Sequence, residues 1–256
     1  MDEDFTPPPM PDRDLAGQTA LVTGAAGDIG LAIVAALSAR GAQIVAWDRA
    51  TAKVAALGLG PDRLECADFD LTDRNGVGER CRDLFARRGV PDILVNNAGI
   101  QGATRPIEDQ TDEDWDRVIA INLTSIFSLC REFAPAMRQK GYGRIVNIAS
   151  AAGVRGLANG CAYGASKAGL IGFSMGLSKE LLTDGVTVNC VAPALIDTAL
   201  LAQMSETFRA EAASRIPMGR MGLASEVAAM VAWVASPVCS FTTGAVFDVA
   251  GGRLGI

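Results

Sequence analysis

From Thr19 onward, short apolar runs alternate with longer amphipathic stretches, and this rhythm restricts the fold more than any other feature of the chain. The runs at 20–23, 44–47, 64–67, 93–95, 145–148, 186–191 and 246–249 are too short for helices and nearly free of polar residues. Strands that are apolar on both faces belong in a parallel sheet covered by helices on each side. The intervening stretches at 30–40, 73–88, 112–140, 162–182 and 225–235 carry helical spacing. The pattern predicts a single α/β domain built on a doubly wound parallel sheet of about seven strands.

With 256 residues, 49% of them apolar, the chain can bury one substantial core. Acidic residues and then Pro7, Pro8, Pro9 and Pro11 mark residues 1–16 as a flexible tail, leaving 17–256 as the folded domain. The stretch 199–222 breaks the alternation and reads as an inserted substrate loop. A net charge of -6 argues against a nucleic-acid partner. No apolar run reaches the ~18 residues of a membrane span. The acidic start, Met1-Asp2-Glu3-Asp4, is unlike a secretory signal, so a cytoplasmic location is expected. Cys66, Cys81, Cys130, Cys161, Cys190 and Cys239 form no CxxC pair, and the chain has no histidine. They read as small buried residues in a reducing compartment, and no metal site is expected.

Without histidine, proton transfer near neutral pH needs another group. Tyr163 and Lys167 stand four residues apart, on one face of a helix. An ammonium there favours the phenolate and lowers the tyrosine pKa, which makes the phenol an acid or base. An exposed surface pair is the plain alternative.

The opposite end of the chemistry lies in Gly24-Ala25-Ala26-Gly27-Asp28-Ile29-Gly30, between the first strand and the first helix. Glycines there let the backbone approach a pyrophosphate, and the helix N-terminus supplies amide donors. Asp48 ends the second strand about 20 residues on, where a carboxylate accepts the ribose hydroxyls of NAD and repels a 2′-phosphate. Arg49 is the competing signal for NADP. The balance favours NAD.

These motifs together resemble the short-chain dehydrogenase/reductase family, from about Leu15 to the C-terminus. In order, they are the Gly-rich turn, Asp70-Leu71-Thr72, Asn96-Asn97-Ala98-Gly99, Asn122, Ser150, Tyr163 with Lys167, and the run Pro193-Ala194-Leu195-Ile196-Asp197-Thr198. Two positions depart from the family pattern: Asp28 and Ala194 stand where glycine is usual. The resemblance implies a Rossmann-like fold and hydride transfer between nicotinamide and an alcohol/carbonyl pair. It assigns Tyr163 to proton exchange, Ser150 to holding the substrate oxygen, Lys167 to the tyrosine and the nicotinamide ribose, and Asn122 to a water chain. It places Gly24, Asp28, Ile29, Gly30, Asp48, Arg49, Asp70, Leu71, Asn97, Ala98, Gly99, Pro193, Ile196 and Thr198, with Tyr163 and Lys167, around the cofactor.

Substrate contacts are expected from Gln101, Ser150, Arg155, Tyr163 and Ala194. The C-terminal run from Cys239 to Arg253 resembles a subgroup that includes NAD-dependent dehydrogenases of sugars and deoxy-ketosugar acids. That points to a small polar secondary alcohol. NADPH-dependent reduction of a 3-oxoacyl thioester is the alternative, and a non-catalytic nucleotide sensor is the alternative of another class. The family resemblance also implies a homotetramer.

Overall fold

Each apolar run becomes a strand in the computed structural model, which describes residues 13–198, 210–211 and 213–254. The strands are β1 (Thr19–Thr23), β2 (Gln43–Asp48), β3 (Leu64–Asp68), β4 (Ile93–Asn96), β5 (Gly143–Ile148), β6 (Val186–Pro193) and, last in the chain, β9 (Val246–Val249). They form one parallel sheet in the order β3-β2-β1-β4-β5-β6-β9. The order reverses between β1 and β4, and a doubly wound sheet opens a crevice at that point, beyond the carboxyl ends of its strands.

Alternate strand residues feed two cores. Ala20, Val22, Ile44, Ala46, Ile93 and Val95 face α1 (Asp28–Ala39) and α8 (Ala224–Val234). Leu21, Val45, Trp47, Leu94 and Ile145 face α3 (Arg74–Arg88), α5 (Ser125–Lys140) and α7 (Cys161–Glu180). Two short helices, α2 (Ala52–Ala55) and α6 (Ala151–Arg155), are too brief to leave a periodic signal in the sequence.

The helix expected over 112–140 is present and continuous, with a change of winding inside it. It begins as α4 (Asp112–Ile119), capped by Thr111, widens into a π-type turn over Ala120–Thr124, and resumes as α5. A π-turn inserts one residue without altering the apolar spacing on either side, so periodicity passes over it. The whole stretch has the length and hydropathy of a membrane span. Its inner residues Ile126, Leu129, Phe133 and Met137 are instead buried against the sheet.

Most of the expected tail lies outside the described residues. At 13–16 the chain already packs: Leu15 is fully buried, and Asp14 accepts from Arg40 Nε at 2.8 Å. Half of the 199–222 insertion, residues 199–209 and 212, also falls outside the described residues. Its flanks meet in a second sheet, in which β7 (Ile196–Asp197) pairs parallel with β8 (Gly222–Leu223). The cysteines are all free; Cys81, Cys130, Cys190 and Cys239 are buried, Cys66 is half-buried, and Cys161 is exposed, contrary to the expectation that all six are buried.

Candidate active site

The turn after β1 is shaped by contacts that only glycine permits. Gly24 takes a left-handed φ of 60°, and a Cβ there would lie 2.6 Å from Ala98 Cα. A Cβ on Gly30 would meet Gly24 O at 2.1 Å. Gly27 caps α1 with no side chain of its own, so no capping side chain stands over the N-terminus of the helix. Asp28 then occupies the first turn of α1, where a carboxylate suits the helix dipole. Thr23 Oγ1 accepts from the amides of Asn97 and Ala98, while Asn97 Nδ2 donates to Thr23 O and Gly24 O. The loops after β1 and β4 are thereby locked together.

A cleft of about 840 Å³ runs across these loops. Its walls are Gly24, Asp28, Ile29 and Gly30 after β1, Asp48 and Arg49 after β2, Asp70 and Leu71 after β3, and Asn97, Ala98 and Gly99 after β4, with Thr198 from beyond β6. Asp48 holds the Gly-rich turn by accepting from Ala26 N at 2.9 Å. Asp70 accepts from both the amide and the hydroxyl of Thr72, which holds its carboxyl below the usual range. The glycine-lined floor and the helix N-terminus fit a dinucleotide pyrophosphate, and the volume lies within the range of small-molecule sites.

Of the remaining residues expected at the cofactor, Ile196 is buried in the core behind α8, and Pro193 ends β6 against Val249. Tyr163 and Lys167 stand on α7, and neither they nor Ser150 and Asn122 are among the residues that wall the main cleft. Ser150 caps α6, accepting from Ala152 N at 3.1 Å, and its hydroxyl lies on the same side as the Tyr163 phenol and favours its ionised form. Lys167 is 4% exposed, and its Nζ donates to Ile148 O at 2.7 Å. Asn122, inside the π-turn, is fully buried. Its Oδ1 accepts from Ile100 N and its Nδ2 donates to Ile100 O, both at 2.9 Å. A Cβ on Gly99 would lie 3.3 Å from Asn122 Oδ1 and 3.4 Å from Lys167 Nζ, so these groups crowd one corner of the cleft.

The expected lowering of the Tyr163 pKa by Lys167 is corrected by this geometry. The ammonium is directed to the Ile148 carbonyl, 5.9 Å from the centre of the Tyr163 ring. Burial pushes the phenol above its ordinary value, and the neighbouring Ser150 hydroxyl draws it partly back. Burial also pushes Lys167 down to about 8.

Gln101 and Arg155 are exposed and turned to protein partners: Gln101 Nε2 donates to Thr104 Oγ1 at 3.2 Å, and Arg155 donates to the Arg253 carbonyl. Ala194 lines a second cleft of about 280 Å³, formed with Ile216, Arg220 and Gly251. Sequence reasoning missed Lys53, Phe69 and Ile100 in the wall of the main cleft. Ile100 directly follows the Asn97-Ala98-Gly99 motif, which was the available signal. Lys53 lies in α2, which left none.

The chain belongs to the short-chain dehydrogenase family, whose model matches residues 18–208. Among its relatives is the NAD(+)-dependent 2-dehydro-3-deoxy-L-rhamnonate dehydrogenase of Sphingomonas sp. (strain SKA58), 43% identical over 93% of this chain and 96% of that protein. The 3-oxoacyl-(acyl-carrier-protein) reductase FabG of Rickettsia conorii is 41% identical over 94% of this chain and 98% of its own length. A solved structure described as an NAD(P)-dependent gluconate 5-dehydrogenase from Beutenbergia cavernae, with NADP bound at low occupancy, aligns with a TM-score of 0.87 at 37% identity. It covers 96% of this chain and all of that one.

Proposed function

We propose that this chain is a dinucleotide-dependent oxidoreductase of secondary alcohols, acting on a small polar sugar, polyol or deoxy-ketosugar acid with NAD as its partner. The observation that carries this reading is the buried Lys167, whose Nζ sits with Asn122 at the Gly99 corner of a glycine-floored cleft, one helical turn from Tyr163. The sugar-acid dehydrogenase relatives support the substrate class.

When bound, the dinucleotide supplies the hydride chemistry. The chain supplies the rest. Gly24, Ile29 and Gly30 admit the pyrophosphate, Asp48 and Arg49 the ribose, and Asp70 and Leu71 the adenine. Asn97, Ala98 and Gly99 form the floor, while Pro193, Ile196 and Thr198 close the nicotinamide side through backbone and hydroxyl groups. Ser150 donates to the substrate oxygen when it is a carbonyl, and Tyr163 exchanges the proton. Lys167, charged at neutral pH with a pKa of about 8, offers its remaining donors to the ribose. Asn122 holds the corner and a path for solvent protons.

Asp48 favours NAD by charge. Arg49 and Lys53 in the same wall support the second reading, NADPH-dependent reduction of a 3-oxoacyl thioester, as does the FabG relative. The complete Ser150, Tyr163, Lys167 and Asn122 set weighs against a non-catalytic sensor. A homotetramer is supported by a groove of about 410 Å³ between α5 and α7, lined by Phe127 and Phe173, with Phe127 46% exposed. The six free cysteines suit a reducing cytoplasm, and the net charge of -6 speaks against a nucleic-acid or anionic-membrane partner.

The deciding experiment is an oxidation panel of sugars, sugar acids, polyols and 3-hydroxyacyl thioesters, run with NAD and with NADP. Turnover of a sugar acid or polyol with NAD is expected. Activity confined to acyl thioesters with NADP overturns it.

A further inference from the structure

Ser166 stands three residues after Tyr163 and one before Lys167, and nothing in the reaction above uses it. It is fully buried on α7. Its Oγ donates to the Tyr163 carbonyl oxygen at 2.8 Å and accepts from Asn122 Nδ2 at 3.0 Å. Asn122 gives its other contacts to the backbone of Ile100, on the cleft side. Among the described residues, the Ser166 hydroxyl is the polar tie between the π-turn and the helix that carries Tyr163 and Lys167. A hydroxyl suits this place because it accepts and donates at once, one bond from Cβ.

Removing it leaves one Asn122 N–H buried without a partner, which a protein avoids by rearranging. The carboxamide relieves the loss by turning, and turning moves Oδ1 away from Ile100 N. That oxygen and Lys167 Nζ share the corner over Gly99, so Lys167 loses its close packing.

We propose that Ser166 is a positioning residue: its hydroxyl fixes the register of α7 against the Asn122 turn, and so aims the Tyr163 phenol and the Lys167 ammonium together into the cleft. This rests on the assignment of Tyr163 as the proton-exchanging group.

The test compares wild type, Ser166→Ala, Asn122→Ala and the double variant, each confirmed as folded by circular dichroism. Ser166→Ala is expected to lower kcat about tenfold while the KM for dinucleotide stays within about twofold. In the Asn122→Ala background, adding Ser166→Ala is expected to lower kcat by less than about twofold, since the two act as one unit. A readout free of turnover comes from carbon-13 NMR of labelled lysines in the ligand-free protein. Lys167 titrates near 8, apart from ordinary lysines, with Tyr163 and Cys190 as its titrating neighbours. Loosened packing in Ser166→Ala is expected to raise the Lys167 midpoint by at least about half a pH unit, since relief of burial favours the charged form. An unmoved Lys167 midpoint overturns the proposal, and so does an equal kcat loss in both backgrounds. If wild type turns over no alcohol, the functional reading falls and the lysine titration alone decides the role of Ser166. If Ser166→Ala does not fold, Ser166→Cys, a weaker donor and acceptor, is read by the same measurements.

Discussion

Lys167→Met is expected to make the ligand-free protein more stable and inactive. Lys167 is 4% exposed and its pKa drops from 10.5 to about 8 because burial strips water from the ammonium. At about 1.4 kcal/mol per pH unit, that drop represents roughly 3 kcal/mol of opposition to folding. The opposition is complete below pH 8, where native and unfolded chains both carry the proton. It fades as pH rises from about 8 towards 10.5, because the native state loses the proton first. Methionine fills similar space without charge, but it gives up the 2.7 Å bond from a charged donor to Ile148 O, a loss of about 1.5–2 kcal/mol. The net gain at pH 7 is therefore about 1–1.5 kcal/mol, at roughly 2–4 °C in Tm per kcal/mol for a chain of this size. The buried thiols Cys81 and Cys130, both pushed up to about 12, lower stability above the ordinary thiol range, but they do so in both proteins and cancel. Urea or thermal unfolding of both proteins at pH 7 and pH 10 is the assay. A variant no more stable than wild type at pH 7, or a gain that does not shrink by pH 10, refutes the reasoning.

Tyr163→Phe is expected to lower turnover by about 10²–10⁴-fold with dinucleotide affinity retained; steady-state kinetics with a dinucleotide binding titration checks it, and near-normal turnover contradicts the role. Gly30→Ala places a Cβ 2.1 Å from Gly24 O, so α1 must shift; a loss of about 1–3 kcal/mol in stability is expected in urea unfolding, together with weaker dinucleotide binding. Asp48→Asn keeps an acceptor for Ala26 N but removes the charge, and is expected to raise the NADP:NAD ratio of kcat/KM about tenfold. An unchanged ratio would show that this carboxylate does not choose the cofactor.

The seven strands could be read from the chain because burial on both faces writes an apolar run that polar loops interrupt. The Gly24–Gly30 turn, Asp48 and the Asn97–Gly99 floor were readable because each sits at a strand end, and strand order places those ends together. What escaped depends on tertiary partners. The widening at Ala120–Thr124 holds Asn122 against Ile100, a contact across 22 residues of chain. The spacing of Tyr163 and Lys167 placed them on one helix face. It could not show that the ammonium turns to Ile148 on β5, a partner supplied by the sheet. Arg155 likewise ends at the carbonyl of Arg253, which sequence alone gives no reason to expect.

The small parallel pair of Ile196–Asp197 with Gly222–Leu223 has an evolutionary consequence. It staples the two mouths of the intervening stretch to each other, so the length between them changes at little thermodynamic penalty, about 0.6 kcal/mol for each doubling of a flexible loop. A change of length between them therefore leaves the parallel sheet, and the helix α7 that carries Tyr163 and Lys167, as they are.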